Sequence, residues 1–163
     1  MTIQVGDRIP AATLNTLKDG VQPISTETIF KGRNVVLFSV PGAFTPTCSA
    51  KHLPGYVTHF DDFRQRGIEV ACIAVNDAYV MDAWARTQQV PDGLMMLADG
   101  NGAFVQALGL EMDATRFGMG LRGKRFALYA KDGVVAILNI EAPGEFNVSS
   151  AEAMLAAIDG SSR

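Results

Sequence analysis

The stretch NVVLFSVPGAFTPTC, Asn34 to Cys48, runs from an apolar segment through a turn to a cysteine. Asn34 to Val40 is almost continuously apolar and rich in β-branched residues, the pattern of a central strand buried on both faces. It stops abruptly at Pro41-Gly42. Thr45-Pro46-Thr47 then opens a helix predicted from about Cys48 to Gln65, on which Leu53, Tyr56, Val57, Phe60 and Phe63 recur at roughly helical spacing and which Pro54-Gly55 should kink. The end of a strand thus delivers a thiol to the first turn of a helix.

Outward from this segment, strands and helices alternate. Ile68 to Val75 reads as a second buried strand, and Asp77 as the N-cap of a helix through about Gln89. Leu94 to Ala98 is a short third strand, with Met95-Met96 as strand core, and Gly102 to Leu110 is helical. Arg125 to Ala130 and Val134 to Ile140 flank Asp132-Gly133, a hairpin signal. Ser149 to Glu152 has capping-box spacing before a last helix carrying Met154, Leu155 and Ile158. This order predicts an α/β fold with a central mixed sheet flanked by helices, and a thioredoxin-like fold satisfies it. No repeat or low-complexity linker divides the chain, so residues 1–163 are read as one domain.

With 163 residues, 48% of them hydrophobic, the chain can build an ordinary core. Its net charge of −3 and lack of a basic run argue against a nucleic-acid partner. Met1 to Asp7 lacks the features of a secretion signal and no apolar run spans a bilayer, so the expectation is a cytoplasmic protein with no membrane partner. Two cysteines, Cys48 and Cys72, make neither a disulfide framework nor a structural zinc site. No metal or cofactor is expected, and the chemistry should be thiol chemistry.

Unpaired amides and the helix dipole favour a thiolate at Cys48. Thr45 holds the place that a second cysteine takes in a Cys-x-x-Cys reductase; its hydroxyl cannot form a disulfide but can donate to the thiolate or to a bound oxygen. Activation by thiolate formation has limited reach. Lowering a thiol pKa from about 8.5 to about 6 raises the thiolate fraction roughly 30-fold at neutral pH, and a Brønsted slope of about 0.4–0.5 returns most of that as lost nucleophilicity. Fast attack on a peroxide therefore needs a cation and directed donors for the leaving oxygen. Arg125 is the first candidate and Arg122 the second. Cys72, inside an apolar strand, reads as core; His52, one turn past Cys48, reads as structural or supporting, since only His59 could join it and Cys48 in a metal cluster.

These residues also carry a resemblance. PGAFTPTCSAKHLPGY (Pro41 to Tyr56), VNDAYVMDAW (Val75 to Trp84), GLRGKRFALYA (Gly120 to Ala130) and DGVVAILNIEAPG (Asp132 to Gly144) together resemble the five subfamily of peroxiredoxins, called type II in plants. The resemblance implies Cys48 as peroxidatic cysteine, with Thr45 and Arg125 completing the catalytic set and Pro41 shielding the thiolate. It implies substrate contacts from the Thr47 and Cys48 amides, an apolar rim including Phe117, and a homodimer packed near Phe44. Members that resolve the oxidised cysteine internally carry a cysteine near the stretch that here reads Glu145 to Ser149, where there is none. This departure points to relatives reduced by glutathione or glutaredoxin, with thioredoxin as the alternative.

Three functions follow. A peroxidase acting on hydrogen peroxide and organic hydroperoxides in antioxidant defence is favoured by Thr45-x-x-Cys48 and Arg125. Thiol–disulfide exchange is disfavoured by the missing partner cysteine. The third is a redox sensor or holdase switched by oxidation of Cys48.

Overall fold

The computed structural model describes residues 1–161. Its chain begins with a hairpin, β1 (Thr13–Leu17) and β2 (Val21–Ser25), and a short helix α1 (Thr26–Phe30) that leads into β3 (Asn34–Ser39). A π-helical turn (Cys48–His52), α2 (Leu53–Thr58) and α3 (Phe60–Gln65) lead to β4 (Ile68–Ala74), and α4 (Ala78–Thr87) to β5 (Met95–Ala98). Then follow α5 (Ala103–Leu108), a small ribbon of β6 (Glu111–Asp113) with β7 (Leu121–Gly123), the hairpin β8 (Phe126–Lys131) and β9 (Val134–Ile140), and α6 (Ala151–Ser161).

Seven strands form one mixed sheet in the order β2-β1-β5-β4-β3-β8-β9, with β3 parallel to β4 and antiparallel to β8. The two faces of β3 explain its unbroken apolar sequence. Val36 and Phe38 join a core with Tyr56, Phe63, Trp84 and Met154, whereas Val35 and Leu37 join a second core with Phe30, Phe104 and Leu108. Helices therefore cover both faces, as the thioredoxin-like expectation required. Among the described residues, no helix is long and apolar enough to cross a membrane.

Local signals held in several places. Asp77 accepts the Val80 N–H at 2.8 Å, and Asp132 and Gly133 both take positive φ in the β8–β9 turn. Others need correction. The helix after Cys48 is irregular before Pro54 rather than at it: the Leu53 N–H reaches Cys48 O, five residues back, and Pro54 has no N–H with which to continue a ladder. A second break falls at His59. The cap at the start of α6 is Ser150, whose Oγ accepts the Ala153 N–H at 3.1 Å; Ser149 Oγ instead donates to Glu141. The β1–β2 hairpin was not predicted, although Asp19-Gly20 marks its turn and Pro23 suits its edge strand.

Gly109 and Gly118 have nearly equal positive φ, +71° and +73°, in different surroundings. A Cβ on Gly109 would sit 2.5 Å from Met1 O and 2.8 Å from Thr2 Cα, in a segment held by the Ile3 N–H bond to Leu108 O; around Gly118 there is open space. Gly118→Ala should therefore cost about 1 kcal/mol of left-handed strain. Gly109→Ala should cost on the order of 2–4 kcal/mol because backbone must move as well. Urea denaturation of the two variants reads the difference, and equal losses would contradict the contact.

Candidate active site

Beyond β3, the Pro41–Thr47 loop is tied down from several sides. Asn76 Oδ1 accepts the Ala43 N–H at 2.9 Å, and Arg122 donates to Pro41 O at 3.3 Å and to Met119 O at 3.0 Å. Phe44 takes φ +64° and leaves its ring exposed. The first helical bond joins the Ser49 N–H to Thr45 O at 2.9 Å. Pro46 thus occupies the first helical position, where a missing N–H costs nothing, and the amides of Thr47 and Cys48 lie in a turn that supplies them no helical acceptor. Trp84, buried on α4, donates its indole N–H to Ser49 Oγ at 3.0 Å.

Arg125 immediately precedes β8, and Phe126 pairs with Ser39, so its side chain stands at the strand end from which the loop departs. Nη2 donates to Cys48 Sγ at 3.1 Å and Nη1 to His52 Nδ1 at 2.8 Å. Burial, and then the charge of Arg125, depress the His52 pKa from 6.5 to about 3. A neutral ring with Nδ1 accepting must carry its proton on Nε2, which donates to Ser149 O at 3.1 Å. Tyr56 donates to the same carbonyl at 2.7 Å and stacks on Phe38 at a centroid distance of 3.9 Å. The Phe146 ring lies 4.9 Å from His52, with the Arg125 guanidinium 5.9 Å from its centroid.

Cys48 is buried beside this fixed cation. The Thr45 hydroxyl does not donate to the sulfur, as the sequence reading allowed; it gives its proton to Gly42 O at 2.7 Å and keeps its lone pairs as acceptors. Arg125 thus donates to the sulfur, and the turn that delivers Cys48 carries two first-turn amides and a hydroxyl with free acceptor lone pairs. Such a set can receive the O–H of a small molecule at Thr45 and donate to its other oxygen.

The Redoxin family model matches residues 4–155. Peroxiredoxin-2E, chloroplastic, of Arabidopsis thaliana is 47% identical over 163 residues, spanning 96% of this chain and 70% of that protein. Peroxiredoxin-2D of the same plant is 43% identical over 96% of this chain and 98% of its own length. Reduced Prx3 of Vibrio vulnificus, crystallised in complex with H2O2, superposes with a TM-score of 0.92 at 48% identity, covering 96% of this chain and 99% of that one. The chain belongs to the peroxiredoxin family. It is a thiol peroxidase that reduces hydroperoxides with electrons from a reductant partner, in an antioxidant role.

In this peroxiredoxin the fold brings Cys48, Arg125 and His52 into one bonded cluster, with Thr45, Thr47, Pro41 and Arg122 in or against the loop above it. Phe117 lies on a 3-10 turn, exposed, with the Arg116 guanidinium 4.6 Å from its ring. Cys72 is buried in β4, where desolvation pushes its thiol well above the ordinary range. Sequence reasoning missed Phe146, Ser149 and Glu141. The Glu141 carboxylate accepts the N–H groups of Asn147, Val148 and Ser149 together with Ser149 Oγ, all within 2.9 Å.

The buried neutral His52 makes stability pH-dependent. Between pH 6.5 and about 3 the unfolded chain binds a proton at residue 52 that the native state refuses, so stability falls as pH falls through that window. His59 acts in the opposite sense: Asp62 first, and Glu152 against the effect of burial, raise its pKa, so its contribution is present below 6.5 and lost as pH rises through the folded value. Comparison with His52→Gln isolates the first effect. From pH 6.5 to 5 the wild type should lose about 1.5 kcal/mol more unfolding free energy than the variant. Parallel losses in urea titrations would assign the dependence elsewhere.

Proposed function

We propose that Cys48 is the peroxidatic nucleophile of a five-type (type II) peroxiredoxin recycled by glutathione and glutaredoxin. The observation that carries the reading is the 3.1 Å bond from Arg125 Nη2 to Cys48 Sγ, at the start of a helix whose preceding loop carries the Thr45 hydroxyl and the first-turn amides of Thr47 and Cys48. The thiolate sulfur attacks the terminal oxygen of the hydroperoxide; an S–O bond forms and the O–O bond breaks. The leaving oxygen takes up the proton of the attacked O–H and departs as an alcohol or water, and Cys48 is left as a sulfenate, which takes a proton from solvent to become sulfenic acid. Arg125 and the amides stabilise charge on the leaving oxygen while Thr45 holds the peroxide O–H.

Resolution by an external thiol is supported by the two free cysteines of the chain. Cys72 is locked into the centre of the sheet, and the loop from Glu145 to Ser149 has no thiol. A small thiol can reach the sulfenic acid and leave a mixed disulfide that glutaredoxin reduces. Thioredoxin is the competing reductant. Unpaired cysteines also suit a reducing compartment such as the cytoplasm. Without reductant, excess peroxide should add two and then three oxygens to Cys48; with glutathione, intact mass should instead rise by one glutathionyl group. Both products should disappear in Cys48→Ser and persist in Cys72→Ser. Rapid formation of a Cys48–Cys72 disulfide on peptide mapping would overturn external resolution.

Homodimerisation through the loop around Phe44 belongs to the same reading. Its support is an aromatic ring held out to solvent by a left-handed backbone, which leaves apolar area without a neighbour from its own chain. Sedimentation at micromolar concentration should give a dimer that Phe44→Arg dissociates. A monomer unaffected by the substitution would contradict the interface.

A further inference from the structure

Arg125 and three residues around it close a ring of hydrogen bonds in which each donates to the next. Arg125 Nη1 donates to His52 Nδ1 (2.8 Å), and His52 Nε2 to Ser149 O (3.1 Å). Ser149 donates through its N–H (2.8 Å) and Oγ (2.7 Å) to Glu141 Oε2, and the Glu141 N–H returns to Arg125 O at 3.0 Å. Glu141 is a buried carboxylate at the end of β9, and its further bonds to the Asn147 and Val148 amides knot residues 142–149 into a fixed loop.

This arrangement has two physical effects. Fixing the loop fixes the Ser149 carbonyl, which sets the orientation and tautomer of His52, and His52 in turn holds one arm of the Arg125 fork while the other arm meets the sulfur. The field of the anion also acts directly on the imidazole and raises its basicity, which strengthens Nδ1 as an acceptor. Yet Glu141 does not touch the guanidinium. Among the described residues no carboxylate forms an ion pair with Arg125. The main chain of Ser149 and a neutral ring stand between the two charges, so the guanidinium is not drawn onto the carboxylate and stays directed at the sulfur.

We propose that Glu141 is a positioning residue of the peroxidase reaction, acting through Ser149 and His52 to aim Arg125 at Cys48 without pairing with it. This rests on the reading of Cys48 as the peroxide-reducing thiol.

Two rates on the full chain at neutral pH test it: oxidation of Cys48 by hydrogen peroxide in stopped flow, and alkylation of Cys48 by iodoacetamide, located by peptide mapping. Alkylation needs a reactive, accessible sulfur but expels iodide, which gains little from donors aimed at a leaving oxygen. In Glu141→Gln one carboxamide oxygen can keep the Oε2 bonds, but the negative charge is lost and the NH2 group faces the Asn147 N–H that Oε1 accepted, so the loop and the ring should loosen. Peroxide oxidation should slow about tenfold or more, a loss of about 1.4 kcal/mol or more in transition-state stabilisation, while alkylation stays within about twofold of wild type. Ser149→Ala removes one donor to Glu141 but keeps the carbonyl, and should give a smaller fall of the same selective kind. It carries the test if Glu141→Gln does not fold. Equal loss of both rates in a folded variant, or no loss of either, would overturn the proposal. A wild-type Cys48 that stoichiometric peroxide does not oxidise would overturn the reading beneath it as well; rapid wild-type oxidation with unaffected variants would remove only the role of Glu141.

Discussion

The bond from Arg125 to Cys48 joins residues 77 apart in sequence, and nothing local brings them together. What does is the antiparallel register of β3 with β8, in which Ser39 lies opposite Phe126. That register is enforced by the alternation of side chains between two apolar cores, Val36 and Phe38 to one and Val35 and Leu37 to the other. A slip of one residue would exchange the faces of the whole strand. The placement of a cation beside a thiol is thus a consequence of core packing, and the chemistry inherits its precision from the centre of the sheet.

Burial of His52 is the second constraint. A histidine inside the core is tolerated here because both ring nitrogens have partners and the aromatic faces of Phe38, Tyr56 and Phe146 surround it. The same burial keeps it neutral, and only a neutral ring can accept from a guanidinium. Electrostatics and packing therefore ask for the same state at this position.

The sequence disclosed those parts of the fold whose cause is local or periodic. The strand at Asn34, the cap at Asp77 and the turn at Asp132-Gly133 each depend on side chains within a few residues. So does the delivery of Cys48 to a helix start. Arg125 is legible because attack on a peroxide needs a fixed cation and the chain re-enters the sheet at that residue. The β1–β2 hairpin was less legible because β2 is an edge strand that is mostly exposed, so no apolar alternation marks it. The π-helical turn depends on which carbonyl the Leu53 amide chooses, and the direction of the Thr45 proton on a carbonyl that the loop happens to present. Glu141 was invisible for a related reason: most of its partners are main-chain N–H groups, which every residue but proline carries and which leave no trace in composition or spacing.

Trp84 supplies a consequence of another kind. It is the only tryptophan of the chain, it is buried, and its indole N–H bonds the residue next to Cys48. Indole emission responds to the loss of such a bond and to a change in local polarity. The first turn of the helix cannot be rearranged, whether by an oxygen added to sulfur or by a thiol attached to it, without disturbing Ser49. The protein therefore carries its own fluorophore one residue from Cys48, and a chemical change at that sulfur that moves Ser49 would be open to optical observation in the unlabelled molecule.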